Sequence, residues 1–364
     1  MGLRGIPGIQ GGIENHVENL APRLAALGCD VEVIVRSPYF NKDANATWKG
    51  VRLRRIWSPR TKVLETIIHS LFATFYAVIH RPDVLHVHAV GPALFIPLAR
   101  LFGLRVVFTH HTMDYKREKW GFLARAMLRV GERAGVLFAN QLIAVSENVG
   151  EVISDYGYHC TIIPNGVSPP TPRGPGVVLG GFGLTQKAYV LYVGRIDKGK
   201  RIHDLEQAFN MSEPPDPWKL VIVGDLEEGG AYAQQIHDLA LRCRGIILAG
   251  FQSGDSLAEL YSQAGVFVLP SSHEGLPIAL LEALSYGIPS LASDIPANRE
   301  IGLPTDCYFP VGDTAALAAG LKRCFRGGVA NAEWRELRSQ VLNEYDWDRV
   351  SQRTLDVYRS AMVS

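Results

Sequence analysis

The densest run of chemistry-bearing residues is Ser271-Ser-His-Glu-Gly-Leu-Pro-Ile-Ala-Leu-Leu-Glu282, a loop entering a helix directly after an apolar run that ends at Leu269. Pro277 suits the first turn of that helix, whose free N–H groups and positive dipole end form a seat for phosphate. Glu274 falls in the loop and Glu282 in the second helical turn. The loop carboxylate can grip sugar hydroxyls near a reacting carbon, and the helical one can accept hydrogen bonds from a ribose. Glu282 sits amid Leu280, Leu281, Ala283 and Leu284 and would be costly to bury unpaired; a structural glutamate capping a loop is the alternative. A second group, Val193-Gly-Arg-Ile-Asp-Lys-Gly-Lys200, places Arg195 and Lys200 five residues apart after another strand. Two fixed cations there can converge on a diphosphate and stabilise it more as a leaving group gathers charge; the alternative is a solvated basic turn.

These loops need a scaffold, and the pattern supplies an α/β one. Val31–Val35, Val51–Ile56, Val84–His88, Arg105–Thr109, Gln141–Val145 and Cys160–Pro164 read as strands, with helices over Ile13–Leu27, Leu64–Ile79, Ala93–Phe102, Lys119–Val136 and Glu147–Tyr156. That alternation is the mark of a doubly wound domain. Residues 166–187, rich in Pro and Gly, read as an interdomain linker. A second alternation runs from Tyr189 to about Ala292, and two helices, Thr314–Phe325 and Asp348–Ala361, close the chain. The expected division is 1–165, the linker 166–187, a second domain 188–345 and a helix in 346–364 that crosses back to the first domain. Two such Rossmann-like domains would face a central cleft at the C-terminal edges of their sheets.

Composition excludes other classes. The chain has 364 residues, 37 Lys+Arg against 36 Asp+Glu, and a mean hydropathy of +0.05. The balance lacks the basic excess of a nucleic-acid binder. It conceals a dipole: the first 165 residues carry 19 basic and 13 acidic side chains, net +6, and the rest 18 and 23, net −5. Basic residues at Arg52, Arg54, Arg55, Arg60 and Lys62, and at Lys116, Arg117, Lys119, Arg125, Arg129 and Arg133, lie beside or within apolar helices, a surface suited to anionic lipid head groups or to plain solvation. Five scattered cysteines without a C-x-x-C suggest neither a disulfide framework nor a zinc site, and fit a reducing cytosol. The opening Met1–Pro7 has no apolar region like that of a signal peptide. Val63–His80 is too polar and short for a bilayer span and reads as an amphipathic helix.

The Glu274-x₇-Glu282 spacing with the Gly-Arg…Lys pair at 195 and 200 resembles the retaining glycosyltransferases of family 4, which have the GT-B fold. Gly2-Leu-Arg-Gly-Ile-Pro7, Gly11-Gly12-Ile-Glu-Asn15, Asp83–His88, Thr109–Asp114 and Lys119-Trp-Gly121 are similar to a subgroup that builds bacterial surface polysaccharides on lipid carriers. The resemblance implies transfer of a sugar from a nucleoside diphosphate donor to a saccharide or polyprenyl-diphosphate-linked saccharide. The cysteine pattern and the basic first domain lead us to expect a cytoplasmic enzyme, peripheral on the inner face of the plasma membrane. The resemblance assigns donor binding to Gly11, Gly12, Gly275, Leu276, Ile278 and Glu282, and catalysis to His111, Arg195, Lys200 and Glu274. His110 is the rival of His111. Of His86 and His88 one only is expected to face the cleft, and His88, nearer the strand end, is taken for the acceptor side with His110, Glu14 and Asn15; the last two could instead cap a helix turn. Asn165-Gly166-Val167 is expected to be a hinge. No Asp-x-Asp follows a strand, so neither a metal nor another cofactor is expected. Gly8-Ile-Gln-Gly11-Gly12 is not G-x-G-x-x-G, and Val33-Ile-Val-Arg36 ends without the acidic residue NAD needs, which disfavours a dehydrogenase. The other readings are a glycoside phosphorylase or sugar-nucleotide epimerase on the same fold, and an inactive glycan-binding protein. The family's opening β-strand has no residues to form it before Gly2, so the first sheet is expected to lack a strand.

Overall fold

The computed structural model describes residues 1–39, 47–59, 61, 64–116, 121–226, 230–327 and 331–363. Arg60, Lys62, Arg117, Lys119 and Trp120 lie outside them. The chain forms two compact units, Met1–Gly166 with Trp347–Ser364, and Val167–Asp346.

In the first unit, helices and strands alternate: α1 (Gly12–Ala26), β1 (Glu32–Arg36), β2 (Thr47–Trp48), β3 (Val51–Ile56), α2 (Leu64–His80), β4 (Leu85–His88), α3 (Val90–Ala93), α4 (Ile96–Leu101), β5 (Val106–His110), α5 (Phe122–Phe138), β6 (Gln141–Ala144), α6 (Glu147–Ser154) and β7 (Thr161–Ile162). α1 ends as its sequence dictates: Gly28, at φ +93, donates to Ala25 O and Cys29 donates to Leu24 O, closing a Schellman turn. Its buried Val17, Leu20, Ala21 and Leu24 recur at helical spacing. The strands form two sheets, β1-β3-β2 and β4-β5-β6-β7, rather than one. The residues ahead of α1 touch both: Met1 N donates to His86 O (2.6 Å), His88 N donates to Met1 O (2.9 Å), and Arg36 N donates to Arg4 O (2.8 Å). Burial lowers the Met1 α-amino pKa to about 5.

β5 shows one set of side chains to each face of its sheet. Val107 packs with Leu20 and Leu24 of α1 and with Trp347, Val350, Val357 and Ala361. Phe108 faces α5, which approaches so closely that a Cβ at Gly135 would strike the Phe108 ring and one at Gly131 the Val90 carbonyl.

The second unit continues with α7 (Val177–Gly181), β8 (Tyr189–Val193), α8 (Ile202–Met211), β9 (Lys219–Val223), α9 (Gly230–Arg242), β10 (Ile246–Gly250), α10 (Gly254–Gln263), β11 (Val266–Leu269), α11 (Ile278–Ser285), β12 (Ser290–Ser293), α12 (Pro296–Arg299), β13 (Tyr308–Phe309), α13 (Thr314–Phe325) and α14 (Asn331–Glu344). Its sheet is parallel, in the order β10-β9-β8-β11-β12-β13. Chain direction across the sheet reverses between β8 and β11, the switch point where open α/β sheets bind ligands. The last helix, α15 (Trp347–Val363), belongs to the first unit, where it packs on α1. The segment expected to be a free linker is docked: Glu259 of α10 accepts from the N–H groups of Gly176 (2.8 Å) and Leu179 (2.9 Å), and Arg173 pairs with Asp255 (2.6 Å). Pro and Gly marked irregular backbone there, and irregular backbone can still pack.

α2 is a helix as expected, but its outward stripe, Leu64, Ile68, Phe72, Phe75 and Ile79, is apolar rather than polar. No helix among the described residues is long and apolar enough to cross a membrane.

Glu206 of α8 is buried, and both its carboxylate oxygens lack hydrogen-bond partners among the described residues. Burial raises its pKa to about 8. A carboxyl whose folded pKa lies above its unfolded one is harmless while protonated and destabilises the folded state as pH climbs from the unfolded value to the folded one. Glu206→Gln should therefore match the parent in thermal stability near pH 5 and exceed it above pH 8 by a few kcal/mol, since each tenfold loss of acidity on folding is worth about 1.4 kcal/mol. Parallel Tm curves across that window would refute the burial of an ionisable carboxyl there.

Candidate active site

In the second unit the site grows from the loops that leave β8 and β11, the neighbouring strands of the switch point. Gly199 O accepts from Ser272 N (2.8 Å) and Ser272 Oγ (3.0 Å), so the two loops are stitched together by backbone. A Cβ at Gly199 would strike the His273 ring, which explains the glycine. Lys200 Nζ donates to Glu274 Oε1 at 2.6 Å. Arg195 pairs with Asp197 (3.2 Å), and the Arg195 carbonyl accepts from Tyr192 OH (3.0 Å). Gly275 and Leu276 are buried, Ile278 half-buried, and the N-terminus of α11 carries no side-chain cap. Glu282 is not an unpaired buried charge: its Oε2 accepts from Tyr261 OH (2.9 Å), and Tyr261 stacks on Tyr286. Burial and the Glu282 charge keep the Tyr261 phenol far above its usual pKa. The structure thus brings Lys200 and Glu274 together and keeps Glu282 in the second turn of α11.

In the first unit the rivals His110 and His111 separate by strand alternation. His110 continues the Phe108 face into the core, where its Nε2 meets Glu132 Oε2 at 2.7 Å and Glu132 Oε1 accepts from Tyr156 OH (3.0 Å). That position, fully buried, corrects its assignment to the acceptor side. His111 takes the opposite direction, its Nε2 3.0 Å from His88 Nδ1. His16 of α1 completes the cluster, with Nδ1 2.9 Å from Asn165 Oδ1 and its ring edge-on to Trp347. Burial pushes the His16 pKa down to about 4 and those of His88 and His111 well below the usual value, so all three are neutral at pH 7. His86 and His88 do not face opposite ways: residues two apart share a strand face, and their centroids are 4.0 Å apart. Depth distinguishes them, since His86 is consumed by Tyr358 OH (2.7 Å) and Thr109 Oγ1 (2.6 Å).

The residues expected at the start of α1 divide as well. Gly12 is exposed and no side chain caps the helix. A Cβ at Gly11 would fall on the Glu14 carboxylate. Glu14 itself is buried and accepts from Arg4 N (3.0 Å) and Arg4 Nε (3.3 Å), so it anchors the Gly2–Pro7 loop instead of standing open to a ligand. Asn15 Oδ1 accepts from Asn19 (2.9 Å). Sequence reasoning missed His16 altogether and read Asn165 as a hinge; the only signal was a histidine three positions after Ile13 on the apolar face of a helix, which also describes a core residue.

Two family profiles match the chain: "Glycosyltransferase Family 4" over residues 10–169 and "Glycosyl transferases group 1" over 182–338. The chain belongs to glycosyltransferase family 4. Among relatives of this glycosyltransferase, glycogen synthase of Mycobacterium tuberculosis is 28% identical over 98% of this chain and 92% of its own length. GDP-mannose:cellobiosyl-diphosphopolyprenol alpha-mannosyltransferase of Xanthomonas oryzae pv. oryzae is 26% identical over 97% and 94%. The fold is that of sucrose-phosphate synthase from Thermosynechococcus elongatus, at a TM-score of 0.83, 23% identity and coverage of 97% and 94%.

Separation of the two histidines has a measurable consequence for the glycosyltransferase. His110→Ala removes from the buried Glu132 the partner of its Oε2 and should cost about 3 kcal/mol of stability. His111→Gln should cost about 1 kcal/mol or less by denaturant titration, while lowering turnover. Equal destabilisation by both, with turnover intact in His111→Gln, would refute the division.

Proposed function

We propose that this enzyme transfers a sugar from a nucleoside diphosphate donor to a hydroxyl of a lipid-linked saccharide, with retention at the anomeric carbon and without a metal. The observation that carries the donor assignment is the Lys200–Glu274 ion pair held across the switch point of the second unit. On donor binding Lys200 and Arg195 turn to the diphosphate, Glu274 turns to the sugar hydroxyls, and the uncapped N-terminus of α11, through Gly275, Leu276 and Ile278, takes remaining phosphate charge. Glu282, already an acceptor for Tyr261, accepts from the ribose. His111, neutral, offers a hydrogen bond to the sugar as positive charge develops at its anomeric carbon, and Gly11 and Gly12 let backbone N–H groups approach the diphosphate. The bond from the anomeric carbon to the diphosphate oxygen breaks as the incoming hydroxyl forms its own on the same face. Its proton passes to the departing diphosphate, so no protein nucleophile is required.

The relative that acts on a diphosphopolyprenol-linked acceptor and the surface of the first unit support a lipid-borne acceptor. The apolar stripe of α2 continues at exposed Leu101, the last residue of α4, and Phe102 after it, where Arg81 donates to Phe102 O (3.1 Å). Arg81 places positive charge at its margin. Arg52 and Arg54 contribute less than the sequence promised, because Asp30 and Glu32 neutralise them. This surface suits an anionic bilayer at the cytoplasmic side of a membrane.

Arg195→Ala should lower kcat on the order of 10²-fold or more with a much smaller change in donor KM, as expected for a group that acts in the transition state; unchanged kcat would remove Arg195 from the mechanism. A panel of UDP-, GDP- and dTDP-sugars with a lipid-linked extract, in EDTA, should reveal one donor turned over without added metal. Restoration only by Mg²⁺ or Mn²⁺ would refute metal independence. In flotation, the protein should rise with phosphatidylglycerol vesicles and the Phe72→Asp/Ile79→Asp variant should not; equal recovery of both would refute the α2 surface.

A further inference from the structure

The histidine cluster of the first unit is built like a ligand set. His16, His88 and His111 each offer a ring nitrogen, these atoms lie within 4.8 Å of one another, and all three residues are buried. Their centroids are 4.9 Å (His16–His111), 5.3 Å (His88–His111) and 5.5 Å (His16–His88) apart. Three imidazoles on a tetrahedral ion at Zn–N distances of about 2.0–2.1 Å would have nitrogens about 3.3 Å and centroids about 5 Å apart. The observed His88 Nδ1 to His111 Nε2 separation of 3.0 Å is already close to such an edge.

The chemistry agrees with the distances. Each ring offers a nitrogen lone pair, the group through which an imidazole ligates. Asn165 Oδ1 accepts from His16 Nδ1, which fixes the tautomer with a lone pair on Nε2, as a carbonyl behind a metal-bound histidine does. Trp347 packs against the same ring and limits its rotation. With three nitrogens and no carboxylate, the set selects a borderline-soft divalent ion of the zinc type over Mg²⁺ or Ca²⁺.

We propose that His16, His88 and His111 bind a zinc-class divalent ion in the first unit, with a fourth position open to water or an anionic oxygen. The ion is not a participant in sugar transfer. Its occupancy holds the His111 ring on the ion instead of on the sugar, so it inhibits; that consequence alone rests on the role given to His111 above.

Protein stripped with EDTA and dialysed should take up one Co²⁺ per chain with the intense visible bands of a tetrahedral ion, displaced by one equivalent of Zn²⁺. His16→Gln, shown folded by its Tm, should lose the bands. Asn165→Ala, which spares the ligands, should weaken Zn²⁺ on the order of 10–100-fold by calorimetry. Absence of the bands in the parent, their survival in His16→Gln, or unchanged affinity in Asn165→Ala would each overturn the site. Tight binding without inhibition would leave the site standing and remove His111 from contact with donor.

Discussion

A β-strand must show consecutive side chains to opposite faces, and the last turn of that rule at the end of β5 organises the first unit. His110 is directed into the packed interior against α5, where its Nε2 meets Glu132, itself an acceptor for Tyr156. His111 follows the face of Val107, the face covered by α1 and α15, and meets His16 and His88 there. One residue is committed to the core and its neighbour to the opposite face because the backbone leaves no other choice. The helix covering each face then determines what each histidine finds.

The second unit solves a different problem, that of holding opposite charges ready at the edge of a sheet. Its strand order opens a gap between the helices at β8 and β11, and the two loops leaving that gap are joined through Gly199 and Ser272 before any ligand arrives. Lys200 and Glu274 neutralise each other across the join, which spares the protein an unpaired buried charge. Under the proposed function, exchange of partners replaces creation of charge as the event that accompanies donor binding.

Much of this was legible in the sequence because parallel sheets place ligand residues at predictable points, just after strands. Arg195, Lys200, Glu274 and Glu282 were singled out that way. Partnerships were not legible: nothing in the chain says that Glu14 is committed to Arg4, that Tyr261 waits beside Glu282, or that His16, 95 positions before His111, stands next to it, because each pairing depends on elements far apart in sequence. α14 escaped notice because its sequence is polar, and β13 because two residues carry no period. The outward stripe of α2 was hidden for the opposite reason, since apolar residues at helical spacing look the same whether they face a core or the surroundings.

Two absent methyl groups set the tolerance of the first unit. Gly131 and Gly135 are one helical turn apart on α5, and neither is there for its backbone angles; each is there because a side chain would have to occupy space already held by Val90 and Phe108. Glu132 lies between them and reaches His110 only because the helix axis comes that near. An alanine at either position would push α5 outward, draw the carboxylate off the imidazole, and loosen the strand end that aims His111. The alignment of His111 is thus set by clearance on the far side of its own sheet.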